Sequence, residues 1–390
     1  MRILVVSTDY PPTLGGIAQV SHRTAEQFAR QGHAVRVIAA GGGEAARAFD
    51  ADQPFLTRRT PARHGWREAA LLRAVRRDLR AFEPEVIWSA SWYPGAVAVS
   101  YAVGRGGPLQ TFSTYGSEIF VNRQGWKQRL KGQLGPLRRR VFSRAEVVFA
   151  ISRYTREKII EMGAPPARIR LAPGAVAESW FALERRPRPP EAGPILLTVA
   201  RLDEHKGNDM VLRALTAVLA RFPRARYVMV GPSDGNWPRL RALAEELGVL
   251  EAVDYRGAVS PAEVQAAYAE ADVFVMPSRE MPGRLDLVEG FGLTFLEAAA
   301  VGLPSVAGDS GGVPDAVEDG VSGLLVNPTS PEEISAALLR LLSEPEYARR
   351  LGEQGRARAA ANFTWSAVAA RMLAAFEEAR ADRARRTADS

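Results

Sequence analysis

Ile195-Leu-Leu-Thr-Val-Ala200, then Arg201-Leu-Asp-Glu-His-Lys-Gly207, then a helical pattern running to about Phe222, is the stretch that decides the fold. It reads as a buried strand, a loop ending in glycine and an amphipathic helix. The N-terminus opens in the same way. Arg2–Ser7 is a strand run, Pro11–Gly16 a glycine-containing loop, and an amphipathic helix continues to about Arg30. From each opening, strands and helices alternate. Ala34–Ala39, Val86–Ser89, Leu109–Ser113 and Val147–Ile151 are the predicted strands of the first half. Tyr227–Gly231, Val253–Arg256, Val273–Met276, Ser305–Ala307 and Gly323–Val326 are those of the second. Short, nearly continuous apolar strands between helical patterns predict parallel sheets covered on both faces. Ser260-Pro-Ala-Glu263 and Ser330-Pro-Glu-Glu333 each read as a helix start with a capping box.

Leu183–Pro194 (LERRPRPPEAGP) is rich in proline and charge and reads as a linker. Residues 1–182 and 195–365 are then two doubly wound α/β domains of Rossmann-like type, joined in the middle, with 366–390 a C-terminal helix and tail. A chain of 390 residues agrees, since one core seldom organises that length. Ligands of such sheets bind at the carboxyl ends of the strands, so two facing sheets make one cleft.

Composition removes several chemistries. The chain has no cysteine, which excludes disulfides, cysteine nucleophiles and cysteine–metal sites. Its four histidines, His22, His33, His64 and His205, have no metal-ligand spacing. The N-terminus shows no signal-peptide pattern, and apolar runs such as Gly95–Val103 are too short to span a bilayer. The expected location is cytoplasmic. A net charge of +7 points to polyanionic neighbours: nucleotide phosphates, anionic lipid or nucleic acid.

The chemistry is concentrated in Glu289-Gly-Phe-Gly-Leu-Thr-Phe-Leu-Glu297, followed by Gly311-Gly312-Val313-Pro314-Asp315. Gly290 and Gly292 let backbone amides approach an anion. A helix opening near Leu293 favours phosphate through its N–H groups and dipole. A carboxylate in that helix would repel a diphosphate, so Glu297 suits a ribose diol, and Glu289 in the preceding loop suits a sugar hydroxyl. In Arg201…Lys206-Gly207, a planar fork and a point charge suit a diphosphate leaving group. Gly15 and Gly16 open a helix after the first strand and bring amides near a phosphate or a sugar.

The two Glu separated by seven residues, with Arg201…Lys206-Gly207, resemble the donor site of family-four retaining glycosyltransferases. The resemblance runs from Pro11 to about Met372 and is nearest to the phosphatidylinositol mannosyltransferase-like members. It implies the GT-B fold: two Rossmann-like domains facing across a cleft, acceptor domain first and donor domain second, with the C-terminal helix returning to the first. It also implies roles. Glu289 contacts the donor sugar and Glu297 the ribose. Arg201 and Lys206 hold the phosphates, which makes a metal unnecessary, and no cofactor is expected. Glu289, Arg201 and Lys206 are the candidate catalytic residues. Gly15, Gly16, Arg201, Lys206, Arg279, Glu289, Gly290, Phe291, Gly292, Leu293 and Glu297 form the candidate donor site. Arg279 belongs to Ser278–Val288 (SREMPGRLDLV), a loop similar to that of the mannosyltransferase-like members; Arg284 and Asp286 within it read equally as a surface ion pair.

Thr114-Tyr115-Gly116-Ser117-Glu118 departs from the family, many of whose members carry His where Tyr115 stands. In those members the ring contacts the transferred sugar; Tyr115 can offer its hydroxyl to a sugar oxygen, as a sugar or acceptor contact, but cannot act as a base near neutral pH. Glu118 is either a sugar or acceptor contact or a helix-start carboxylate. Asn122–Arg144 carries eight basic residues and no acidic one, with apolar residues interleaved. It reads either as a surface for an anionic membrane, at its inner face, or as a solvated helix with one face on the core; no motif for nucleic acid accompanies it.

The resulting expectation is retaining transfer of a hexose, of mannose or glucose type, from a UDP- or GDP-sugar to a hydroxyl on a glycan, lipid or small molecule. A nucleotide-sugar epimerase on the same fold is the alternative enzyme, and a non-catalytic nucleotide-sugar binding module the alternative of another class. A dinucleotide-dependent oxidoreductase is disfavoured, because no G-x-G-x-x-G follows Val5 or Val199.

Overall fold

A computed structural model of the chain describes residues 1–13, 15–62, 67–104, 106–116, 135–185, 189–281, 284 and 287–388. In chain order, the first part carries β1 (Arg2–Ser7), α1 (Gly16–Arg30), β2 (Ala34–Ala40), α2 (Glu44–Ala51), β3 (Leu56–Thr60), α3 (Arg67–Ala81), β4 (Val86–Ser89), α4 (Val97–Ala102), β5 (Leu109–Thr114), α5 (Gly135–Arg144), β6 (Val147–Ala150), α6 (Arg153–Glu161) and β7 (Ile169–Leu171). The second carries β8 (Ile195–Val199), α7 (Asn208–Arg221), β9 (Arg226–Val230), α8 (Trp237–Glu246), β10 (Val253–Gly257), α9 (Pro261–Glu270), β11 (Val273–Met276), α10 (Leu293–Ala300), β12 (Ser305–Gly308), α11 (Val313–Ala316), β13 (Gly323–Val326), α12 (Pro331–Ser343) and α13 (Pro345–Asn362). A last helix, α14 (Trp365–Ala388), closes the chain.

Two compact units result: Met1–Gly174 with Trp365–Ser390, and Ala175–Thr364. The first contains a seven-stranded sheet ordered β3-β2-β1-β4-β5-β6-β7, parallel throughout. Its register sets the wholly buried Ile3–Val6 between Val35–Ile38 and Val86–Ser89. Burial on both faces is why these strands read as apolar runs. The two strands that the sequence did not predict, β3 and β7, lie at the sheet edges. There charge replaces apolar continuity, as protected edges require. Arg58 and Arg36 both pair with the fully buried Asp78, at 2.7 and 2.9 Å.

α14 belongs to the first unit. Phe376 packs its ring against Phe28 and Phe149, each at 5.7 Å. Arg380 pairs with Glu85 at 2.7 Å, and Arg383 pairs with Glu146. Burying each such ring contributes about 1.5–3 kcal/mol.

The second unit has a six-stranded parallel sheet ordered β10-β9-β8-β11-β12-β13. Alternation along β11 divides its covering. Val273 and Val275 join Val211, Leu215, Ile334 and Leu338 in the core formed with α7 and α12. Phe274 points the other way, stacked on Tyr268 of α9 at 5.7 Å and edge-on to Phe295 of α10 at 5.3 Å. Ser260 forms the full capping box with Glu263. Ser330 forms half of one: its hydroxyl accepts from Glu333 N–H, while the Glu333 carboxylate accepts from Asn327 N–H at 2.9 Å. The loop before α12 thereby takes the acid that a closed box would use.

The passage between units differs from the expected 183–194 linker. The chain enters the second unit at Ala175 and leaves it after Thr364. Those two ends lie side by side: Val176 N–H donates to Phe363 O at 2.8 Å, and Val176 bridges Thr364. The described residues on either side of 186–188 are held by the second unit. Arg185 donates to Ala271 O at 2.7 Å, and Pro194 O accepts from Arg226 N–H at 2.9 Å.

Candidate active site

In the second sheet the strand order reverses between β8 and β11. Loops leaving neighbouring strands in opposite senses open a crevice at such a point. The loop after β8 ends in a 3-10 turn, Glu204–Lys206, and Gly207. Gly207 has φ +78, and a Cβ on it would lie 2.2 Å from Pro277 O. Only glycine lets the β8 loop press on the β11 loop so closely. That contact brings Lys206 beneath Glu289.

Lys206 Nζ donates to Glu289 Oε2 at 2.5 Å, and each side chain is 15% exposed. Burial alone would raise the Glu289 carboxyl. The Lys206 ammonium, its hydrogen bond and the Phe291 N–H outweigh burial and hold the group below the usual carboxylate range. The Glu289 backbone is fixed as well, since its carbonyl accepts from Gly312 N–H at 2.8 Å. His205 next door is pushed down to about 4 by burial and by Lys206, so it is neutral near pH 7.

α10 starts from Gly292, whose φ of +94 and 2.5 Å approach of a would-be Cβ to the Phe295 ring exclude a side chain. No side chain caps this start and no acid lies in its first turn. The Phe295 N–H is taken by Gly292 O at 3.1 Å, which leaves those of Leu293 and Thr294 for an anion. Glu289 Cγ lies 3.6 Å from the same would-be Cβ. A cation, an acid and a helix start thus converge at one place. Arg201 adds a fork at the mouth of the β8 loop: it is 61% exposed and holds Asp203 at 2.8 Å and Asp234 at 3.8 Å.

Glu297 lies one turn into α10 and faces α9. Its Oε2 accepts from the Tyr268 hydroxyl at 2.9 Å. Burial pushes its carboxyl up to about 7, against a smaller opposing effect of that hydrogen bond. Among the described residues no three His, Asp or Glu converge as a metal site.

In the first unit the switch lies between β1 and β4. α1 opens there at Gly16, again without a side-chain cap or an acid in its first turn. The loop before it is anchored from the edge strand: Arg59 donates to Pro11 O at 2.6 Å and grips Asp50 with two hydrogen bonds at 2.7 and 2.9 Å. Tyr115 follows β5, half-buried. Leu14, Glu118 and Asp286 lie outside the described residues, as do residues 122–134.

Residues 15–175 match the family described as glycosyl transferase 4-like domain, and residues 182–358 match glycosyl transferases group 1. A Mycolicibacterium smegmatis protein, GDP-mannose-dependent alpha-(1-6)-phosphatidylinositol monomannoside mannosyltransferase, is 32% identical over 379 residues, spanning 95% of this chain and 97% of its own. The chain belongs to the group 1 glycosyltransferases. A similarly named Corynebacterium glutamicum mannosyltransferase is 29% identical over 382 residues, with 95% and 96% covered. The fold of this glycosyltransferase is shared with a Rickettsia africae glycosyltransferase at TM-score 0.77 and 17% identity, over 97% and 98% of the two chains. It is shared too with Anabaena HepE in complex with UDP, at TM-score 0.76 and 17% identity, over 97% and 100%. GT-B architecture, with α14 returning to the first unit, is the fold of the enzyme.

Two of the candidate donor-site residues have partners of their own within the second unit. Arg279, assigned to the donor, is buried, and both of its terminal nitrogens hold Asp209 of α7, at 3.0 Å each. Its backbone N–H donates to His205 O at 2.8 Å, so the residue ties the β11 loop to the β8 loop. Phe291 turns its ring into the core, 5.7 Å from Phe363, leaving only its backbone toward Glu289. Tyr268, Asp209 and Arg59 escaped sequence reading. Each acts through a partner remote in sequence, and none stands in a motif.

Proposed function

We propose that this glycosyltransferase moves mannose from GDP-mannose to a hydroxyl of a lipid-linked sugar, with retention at the anomeric carbon and without a metal ion. The observation that carries the proposal is the Lys206–Glu289 contact beside the uncapped start of α10. A diphosphate needs fixed positive charge, and the sugar next to it needs an acceptor for its hydroxyls. Lys206, Arg201 and the α10 amides supply the charge, while Glu289 takes a sugar hydroxyl. As the C1–O bond to the diphosphate breaks, these groups offset charge on the departing phosphate. The acceptor oxygen bonds C1 on the same face and its proton passes to a leaving phosphate oxygen, so no protein base is needed. The mannosyl donor and the lipid acceptor follow the names of the two mannosyltransferase relatives.

Lys206→Ala and Glu289→Ala are expected to lower kcat by about 10²-fold or more with unchanged circular dichroism. Wild-type turnover in both variants overturns the site. GDP is expected to raise Tm more than UDP at equal concentration, by mass action on the folded state, and activity is expected to survive EDTA.

A membrane-facing surface in the first unit is part of the same reading. No helix of the described residues is long and apolar enough to cross a membrane. Arg73, Arg76, Arg77 and Arg80 line a groove on α3, and the described part of the basic segment, α5, adds Arg138, Arg139, Arg140 and Arg144. Co-sedimentation with phosphatidylglycerol vesicles, lost in 0.5 M salt (roughly 4–5 Å Debye length) and absent with phosphatidylcholine, is the expected result.

A further inference from the structure

Tyr268 is fully buried in the second unit, and its ring is enclosed by Phe274, stacked at 5.7 Å, and by Trp180, edge-on at 5.1 Å. Phenylalanine would fill that space equally well. What the hydroxyl adds is its two neighbours in α10: Glu297 Oε2 at 2.9 Å and Thr294 O at 3.1 Å. A phenol has one proton and cannot satisfy both as donor at once. Both neighbours lie in the first turns of the helix whose start faces the Lys206–Glu289 pair. The other carboxylate oxygen, Glu297 Oε1, has no hydrogen bond to a described residue, and Glu297 as a whole is half-buried.

We infer that Tyr268 is a positioning residue: it locks one oxygen of Glu297 so that the other is held toward the hydroxyls of the nucleotide's ribose. This rests on the reading of Glu297 as the ribose contact. The physical basis is orientation. A Glu side chain has three rotatable bonds, and fixing one oxygen from a buried, ring-packed donor removes most of that freedom before a ligand arrives. The same bond favours the ionised, accepting form of a carboxyl that burial otherwise pushes toward protonation. Trp180 stands just past the point where the chain enters the second unit, so the packing that fixes Tyr268 begins at that passage.

The experiment compares the intact wild-type enzyme with Tyr268→Phe and Glu297→Gln. Calorimetry measures Kd for GDP and for 2′-deoxy-GDP at pH 7.5 and at pH 6.0. Wild type is expected to prefer the ribonucleotide by about ten-fold or more, the worth of a hydrogen bond to a charged group. Tyr268→Phe is expected to lose most of that preference while binding 2′-deoxy-GDP as wild type does, and to move the pH at which GDP binding weakens upward. If Glu297→Gln abolishes the preference and Tyr268→Phe keeps it, Tyr268 is only a core residue and the inference fails alone. Preference retained in Glu297→Gln, or missing from wild type, removes the ribose reading and the inference together. Equal weakening of both nucleotides in Tyr268→Phe, tracking a fall in Tm, also overturns it.

Discussion

Glu289 and Glu297 share a motif and meet opposite environments. Lys206 holds the first ionised, while burial leaves the second with a carboxyl near 7. The consequence for stability has a definite sign. Glu297 binds its proton more tightly folded than unfolded, so between about pH 4.5 and 7 the native state carries the extra proton. Stability from this residue therefore falls as pH rises through that window, by about 3 kcal/mol in all. Glu297→Gln is expected to flatten that part of the urea-midpoint profile and to be the more stable protein at pH 8. A profile unchanged by the substitution would contradict the assignment. At this scale the sequence was informative where a residue acts locally. Glu289, Lys206 and Gly292 were legible because their spacing around a strand end and a helix start dictates what they can meet. The pairing of Arg279 was not, because its partner Asp209 is set by how the β11 loop lies on α7. Its guanidinium chemistry fits a buried carboxylate as well as a phosphate.

Elements were readable in proportion to their burial. Central strands announced themselves as apolar runs, and the helix at Ser260 by its cap. β3 and β7 hid because an edge strand is half solvent and carries arginine, which looks like loop in a linear reading. The closing of loops upon one another is equally invisible, and two substitutions separate it from ordinary helix stability. Gly207→Ala must shift the Pro277 backbone and hold a left-handed φ, which alone costs about 1–2 kcal/mol. It is expected to lower the urea midpoint markedly and to weaken GDP binding, since it displaces Lys206. Ser260→Ala removes a cap worth about 1 kcal/mol on α9 and is expected to leave nucleotide affinity unchanged. Comparable nucleotide affinities in the two variants would mean that the β8–β11 loop contact does not set the site.

On the scale of the whole molecule, every described residue proposed to hold the donor, apart from Gly15, Gly16 and Tyr115, lies within the 175–364 unit. That unit has its own sheet and core, and its two ends meet at Val176 and Thr364. A fragment spanning 175–364 is expected to unfold in one transition and to retain GDP binding, as read by calorimetry. A 1–364 truncation instead strips the buried face of Phe28 and Phe149 and is expected to melt in two steps, the first at markedly lower temperature. The two-unit plan was legible from the matching openings at Arg2 and Ile195. The boundary was not, because the composition of Leu183–Pro194 marks exposure, and exposure alone does not distinguish a tether from a surface strap.

The return of α14 also orders events on the ribosome. Domains emerging during synthesis generally close from the N-terminus onward. Here the earliest residues must wait, since the helix that covers Phe28 is translated only after residues 175–364, which are already complete when it leaves the exit tunnel. The nascent first unit thus presents an uncovered apolar stripe for most of its translation, and a chaperone that guards such stripes would find its client there.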